Sequence, residues 1–143
     1  MKKLLSIVLL AFLYVNAEAQ SDSNMGIIPV PVSVKKGSGT FKLDKTVVLV
    51  SNDQKNAKSA DLLNAFVTRH GGFALRTVKA AAANERAIIL NSEGADKLPA
   101  EGYTINITPK NITITGKDAG LFYGVQSVIQ LMPEKQNNEI LIS

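Results

Sequence analysis

The chain has no cysteine and no tryptophan among its 143 residues, and its only histidine is His70. Without cysteine there is no disulfide framework, no thiolate metal site and no cysteine nucleophile. The absence of a cysteine near residue 20 also removes the lipid-anchored lipoprotein route. A single histidine cannot supply the H-x-x-x-H or H-E-x-x-H spacing of a metal centre. Basic stripes are missing too. After the first few residues, Lys35-Lys36 is the only adjacent basic pair. Nucleic-acid binding calls for a dense Lys/Arg stripe or aromatic platforms, and neither is present. There is no G-x-G-x-x-G and no Walker lysine, so Gly120 and Gly124 do not form a phosphate loop. No internal repeat or low-complexity tract interrupts the chain.

What is present begins with an export pattern. Lys2 and Lys3 precede an apolar run over residues 4–15, broken only by Ser6, and Ala17-Glu18-Ala19 has the small-x-small form of a cleavage site. The run is too short for a spanning helix, so residues 1–19 read as a secretory signal peptide, with Gln20 as the new N-terminus. Localisation is therefore expected to be periplasmic or extracellular, with no membrane association after cleavage. Cleavage removes Lys2, Lys3 and Glu18, which leaves 14 basic and 11 acidic residues. That mild excess does not predict a nucleic-acid partner.

The mature length suits one domain and is too short for a (β/α)8 barrel, which needs roughly 200 residues or more. Residues 20–26 form a polar lead-in and residues 27–143 the domain. In Ile28-Pro29-Val30-Pro31-Val32, prolines at alternate positions exclude a central strand and suit an edge segment or an extended strap. Residues 40–43 and the β-branched run 46–50 read as strands, the second buried on both faces. Residues 57–70 carry Leu62, Leu63, Phe66 and Val67 at helical spacing, and Gly71-Gly72 supplies a left-handed stop. Strands follow at 73–78 and 87–91. The alanine-rich residues 79–86 read as a loop.

Residues 102–133 are the most informative. Tyr103, Ile105 and Ile107 alternate with polar residues, as do Ile112 and Ile114, and Pro109-Lys110-Asn111 separates the two runs. That period of two with a turn between is a β-hairpin. Asp118 is placed to cap a helix whose buried face would be Leu121, Phe122, Val125, Val128, Ile129 and Met132, with Pro133 as its stop. Gly120 and Gly124 share a helix face, which suits close packing on a sheet. Residues 139–143 read as the start of another strand, and a chain that stops there suggests a piece of something longer. The expected architecture is α+β: a small two-layer sandwich with a mostly antiparallel sheet and two helices on one face.

No constellation for catalysis emerges. The carboxylates Asp22, Asp44, Asp53, Asp61, Glu85, Glu93, Asp96, Glu101, Asp118, Glu134 and Glu139 are scattered among turns and caps. Glycoside hydrolysis needs paired carboxylates, or one acid with a substrate acetamido group held in place. His70 reads as a helix-end residue. The sequons at Asn106 and Asn111 arise from strand alternation. No catalytic residue, cofactor or metal ligand is assigned.

The helix Gly120-Leu121-Phe122-Tyr123-Gly124-Val125-Gln126 resembles the end of the N-terminal domain of glycoside hydrolase family 20, the β-N-acetylhexosaminidases. The runs 101–107 and 112–116 are similar to that family's hairpin, and Ile28-Pro29-Val30-Pro31 to its opening motif. The likeness covers roughly residues 27–142. It implies a non-catalytic module beside a (β/α)8 barrel partner that carries an adjacent Asp-Glu pair, which this chain lacks. It further implies that the parent removes terminal N-acetylglucosamine or N-acetylgalactosamine, and that this chain alone is inactive. Similar modules precede family 84 and α-glucuronidase barrels. A stand-alone secreted carbohydrate-binding or interaction module is the rival expectation. It is disfavoured because Tyr103, Tyr123 and most phenylalanines fit core positions.

Overall fold

The computed structural model describes residues 26–133 and 139–143. The expected signal peptide over residues 1–19, most of the expected lead-in and the polar segment 134–138 lie outside the described residues. Among the described residues the strands and α-helices follow in order: β1 Phe41–Leu43, β2 Val48–Ser51, α1 Ala57–Gly71, β3 Arg76–Val78, β4 Ala87–Asn91, β5 Tyr103–Ile107, β6 Asn111–Gly116, α2 Ala119–Gln130 and β7 Ile140–Ile142.

The five-stranded sheet has the order β3-β2-β4-β6-β5. Both helices lie on one face of it, α1 over β2 and α2 over β5 and β6, and they touch each other. The small α+β sandwich expected from the sequence is therefore observed. Its pairing is more mixed than expected. β5–β6 and the separate β1–β7 ladder are antiparallel, whereas β2–β3, β2–β4 and β4–β6 are parallel. Parallel neighbours need a crossover, and α1 supplies one between β2 and β3.

Alternation along the strands splits the interior in two. Leu49, Ile88, Leu90, Ile112 and Ile114 face the helices and meet Leu63, Val67, Leu121, Val125 and Val128 in the main core. Phe41, Leu43, Ile140 and Ile142 close the same core from the two-stranded ladder. Fully burying a side chain of this size is worth roughly 1.5–3 kcal/mol. Val48, Val50 and Ala87 point to the opposite face, where Val78, Ala81 and Ile89 pack on them. The loop at 79–86 covers this second cluster. It is held by the Arg86 carbonyl accepting from Val48 N–H at 3.0 Å and the Ala83 carbonyl accepting from Lys110 Nζ at 2.7 Å.

Several local expectations resolve in detail. Gly72 ends α1 at φ 78°, donating its N–H to the Thr68 carbonyl at 3.1 Å. Asp53 caps the 3₁₀ turn Gln54–Asn56 ahead of α1 through Lys55 N–H at 2.9 Å. The hairpin turn is Thr108–Asn111, closed by Thr108 N–H on the Asn111 carbonyl and by Asn111 N–H on Thr108 Oγ1. Residues 27–34 form no ladder and make a strap. Gln130 near the end of α2 grips both the N–H and the carbonyl of Ile28 (2.9 and 3.1 Å).

Two expectations for α2 are corrected. Asp118 occupies the N-cap position but makes no side-chain cap bond. It sits at φ 48°, ψ −113°, the second residue of a tight turn closed by Gly120 N–H on the Lys117 carbonyl at 2.9 Å. That turn, rather than a capping carboxylate, starts the helix. Phe122 is 40% exposed instead of buried. At 100° per residue it is turned well away from the line of Leu121, Val125 and Val128, which centres the buried stripe.

Candidate functional site

The closest glycine contacts among the described residues are where α2 crosses the hairpin. A Cβ on Gly120 would strike the Gly102 carbonyl, and one on Gly124 would come within 2.5 Å of Ile114 Cγ2. Gly102 is itself confined by Pro99, and Gly116 by the backbone of Leu121. Tyr103 and Ser127 hydroxyls hydrogen-bond across the same seam at 2.7 Å. The close-packing reading of Gly120 and Gly124 is therefore observed. Its product is a rigidly seated helix.

Several of the titratable residues are engaged in structural contacts. Asp44 accepts from Arg86 at 2.8 Å and from the hydroxyl and N–H of Thr46 at 2.6 and 2.9 Å. Partial burial pushes its carboxyl up, but the Thr46 hydroxyl, the Arg86 guanidinium and the Thr46 N–H outweigh it and hold the pKa at about 2. Arg86 also donates to the Lys42 carbonyl, so this pair ties the loop between β1 and β2 to the start of β4. Glu85 pairs with Arg76, and Glu139 with Lys42. Asp96 and Lys117 pair at 2.9 Å in full solvent, which lowers the carboxyl and raises the amine through their hydrogen bond. His70 stacks on Phe66 with centroids 5.2 Å apart, and its Nε2 lies 2.9 Å from the Pro133 carbonyl. It joins the ends of the two helices. Among the described residues no group of three or more His, Asp or Glu side chains is arranged to hold a metal ion.

One open cleft, about 530 Å³, lies beyond the carboxyl ends of β2 and β4, lined by Asn52, Asp53, Gln54, Asn91, Ser92 and Glu93. β3 and β4 flank β2 on opposite sides, so this is where the chain order reverses, the place where open α/β sheets form crevices. The sequence did not reveal it, because the strand order that creates it is not written in any single segment. Its side chains are largely committed to each other. Asn91 Oδ1 accepts from Glu93 N–H, Asn91 Nδ2 donates to Thr115 Oγ1, and Asn56 exchanges hydrogen bonds with Ser92 beneath the floor. The cleft offers hydrogen bonds and two carboxylates but no activated nucleophile.

Aromatic residues are more exposed than expected. Phe122 and Tyr123 are 40% and 42% accessible and meet edge to face, with centroids 5.8 Å apart. Tyr123 was expected in the core and instead projects from the outer side of α2. Leu62 and Phe66 on α1 are half-buried.

Glycines seat α2 closely on the hairpin of a small mixed-sheet α+β domain. The family profile described as glycosyl hydrolase family 20, domain 2, matches residues 24–141, and the chain belongs to that family as this non-catalytic domain. It is 30% identical over 125 residues to a β-hexosaminidase of Porphyromonas gingivalis (strain ATCC BAA-308 / W83), covering 85% of this chain and 16% of that protein. The solved family 20 β-N-acetylhexosaminidase of Streptomyces coelicolor A3(2) superposes with a TM-score of 0.69 at 28% identity, over 81% of this chain and 24% of that one. The family 20 exo-β-N-acetylglucosaminidase of Vibrio harveyi shares the fold, with a TM-score of 0.70 at 16% identity, over 82% and 18%. The chain thus spans less than a quarter of each of these relatives, and in such proteins domain 2 sits with a catalytic barrel.

Proposed function

We propose that this chain is the accessory domain of an exported β-N-acetylhexosaminidase, supporting a catalytic barrel that removes terminal N-acetylglucosamine or N-acetylgalactosamine. The observation that carries the reading is the domain 2 match across residues 24–141, in a chain where Asp44, Glu85, Asp96 and Glu139 are engaged in ion pairs. The helix layer is the side offered to the barrel, because Phe122 and Tyr123 leave apolar surface uncovered there. Export is supported by Lys2-Lys3, the apolar run and Ala17-Glu18-Ala19.

The test is hydrolysis of an aryl N-acetylglucosaminide. The purified chain alone should give no turnover, and the parent chain carrying the barrel should be active. Turnover by the isolated chain that scales with its concentration would overturn the accessory role. Sequencing of the exported protein should begin at Gln20.

The exposed Phe122–Tyr123 pair favours a second reading, a carbohydrate-binding module using these rings as a stacking platform. NMR titration with N-acetylglucosamine oligomers separates the two. Shifts localised to α2 support sugar binding, and an unchanged spectrum leaves the rings to the barrel contact.

A further inference from the structure

Resting on the domain 2 reading, we propose that the strap at residues 27–34 is a docking edge for the catalytic barrel, whose surface closes over Ile28, Val30 and Val32. The strap is sided. Ile27 is buried and Pro31 and Val34 are half-buried, so these three anchor it to the domain. Ile28, Val30 and Val32 are 79%, 81% and 107% exposed, the most exposed large apolar side chains among the described residues. Three aliphatic side chains held in water on five residues are a cost to an isolated domain, and they mark an interaction surface when their backbone is fixed.

The backbone is fixed at the start of the strap and again shortly after it. Gln130 holds the N–H and carbonyl of Ile28 against the end of α2. Five residues after Val34, Gly39, at φ +107°, packs so closely on the Pro109 ring that a Cβ would lie 2.8 Å from Cγ. The stripe is therefore presented in place rather than free to fold back on the core.

Chain geometry names the occupant. Residues 35–40 lead from the strap to β1, which pairs antiparallel with β7, Phe41 opposite Ile142. In the domain 2 reading, a parent chain running on past Ser143 departs beside Thr40, six residues after Val34 and therefore within about 20 Å of it. A barrel that follows from that point lies within reach of the stripe. Pro29 and Pro31 lack N–H donors, so the contact is made by side chains and not by an added strand.

The experiment uses the full-length parent chain. Val32→Cys and Thr104→Cys place single new thiols at two positions that are both exposed in this domain. Each is read against the unsubstituted chain. A water-soluble maleimide should label position 32 at least about tenfold more slowly than position 104, because the barrel must open before reagent enters. A photo-crosslinking residue at position 30 should join a barrel peptide. Equal labelling at the two positions overturns the inference. So does a crosslink to residues 20–25 or to a second copy of the chain. A full-length product with no barrel overturns the domain 2 reading of the parent and this inference together. An active barrel-bearing enzyme with a fully reactive thiol at 32 overturns this inference alone.

Discussion

The α-carbon of Gly120 rests against the carbonyl of Gly102, leaving no space for a side chain between α2 and the entry to β5. A backbone carbonyl cannot move aside as a side chain can. Gly120→Ala therefore has to lift the N-terminus of α2 from the sheet. Overpacking of this kind typically costs about 1–3 kcal/mol, more than the roughly 1 kcal/mol of helix propensity that alanine returns. Gly124→Ala meets the Ile114 side chain and a Tyr103 ring that have some freedom to adjust, so its loss should be smaller. Urea unfolding should show a lower midpoint for both, with Gly120→Ala the lower. An unchanged midpoint for Gly120→Ala would mean the seam is looser than its geometry.

Asp118 is the one non-glycine residue with positive φ among the described residues. Side chains are disfavoured at φ 48°, ψ −113°, a conformation that costs about 1–3 kcal/mol for a residue with a Cβ. Glycine relieves that strain and loses about 0.5–1 kcal/mol to its greater unfolded-state freedom. Asp118→Gly should therefore stabilise the domain by about 1 kcal/mol. Asp118→Ala should change little, because the carboxylate makes no cap bond to lose. A normal cap would lose about 1 kcal/mol on the same change. Thermal melts of the two variants side by side decide it.

These two positions show what the sequence carried. Spacing of Gly120 and Gly124 on one helix face was enough to predict close packing, since a period of 3.6 fixes which residues share a face. The hairpin was legible from its alternation, and β4 from its run of apolar residues. Asp118 was misread because residue type names a cap while backbone geometry decides whether the carboxylate can reach an N–H. Phe122 was misread because hydrophobicity says nothing about which way a residue at the stripe's margin turns. The cleft at Asn52 and Ser92 was invisible, because strand order is a property of the whole chain. Parallel pairing of β2 with β4 was hidden for the same reason, although their continuous apolar runs are what strands covered on both faces look like.

Asp44 makes stability depend on acid. Its carboxyl is held at about 2, against an ordinary value of 3.8 when unfolded. A group depressed in the folded state contributes its full stabilisation above the unfolded pKa and loses it as pH falls through the folded one. The loss should therefore run from about pH 4 down to about pH 2, and there should be no contribution to pH dependence near neutrality. The pair is partly solvated, so the effect is modest and shrinks with salt. Asp44→Asn should be less stable than the native chain at pH 6, and the two should converge near pH 2. A constant difference across that range would assign the stabilisation to groups other than the carboxylate.

The last strand is as deeply packed as the first. Phe41, Leu43, Ile140 and Ile142 are all fully buried, and β7 is the partner that pairs with β1. Truncating a buried isoleucine to alanine removes transfer energy and leaves a cavity, typically about 2–5 kcal/mol. Leu141 lies between the two, 47% exposed, so the same ladder offers an internal control. Ile142→Ala should lower stability by an amount in that range, and Leu141→Ala by under about 1 kcal/mol, since nearly half of its side chain already meets water. Because Ile142 sits opposite Phe41, the loss should also loosen β1, and amide exchange at residues 41–43 should speed up along with global unfolding. If Ile142→Ala unfolds in urea like the native chain while β1 exchanges freely, β7 is a detachable flap and the core is closed by the helices alone.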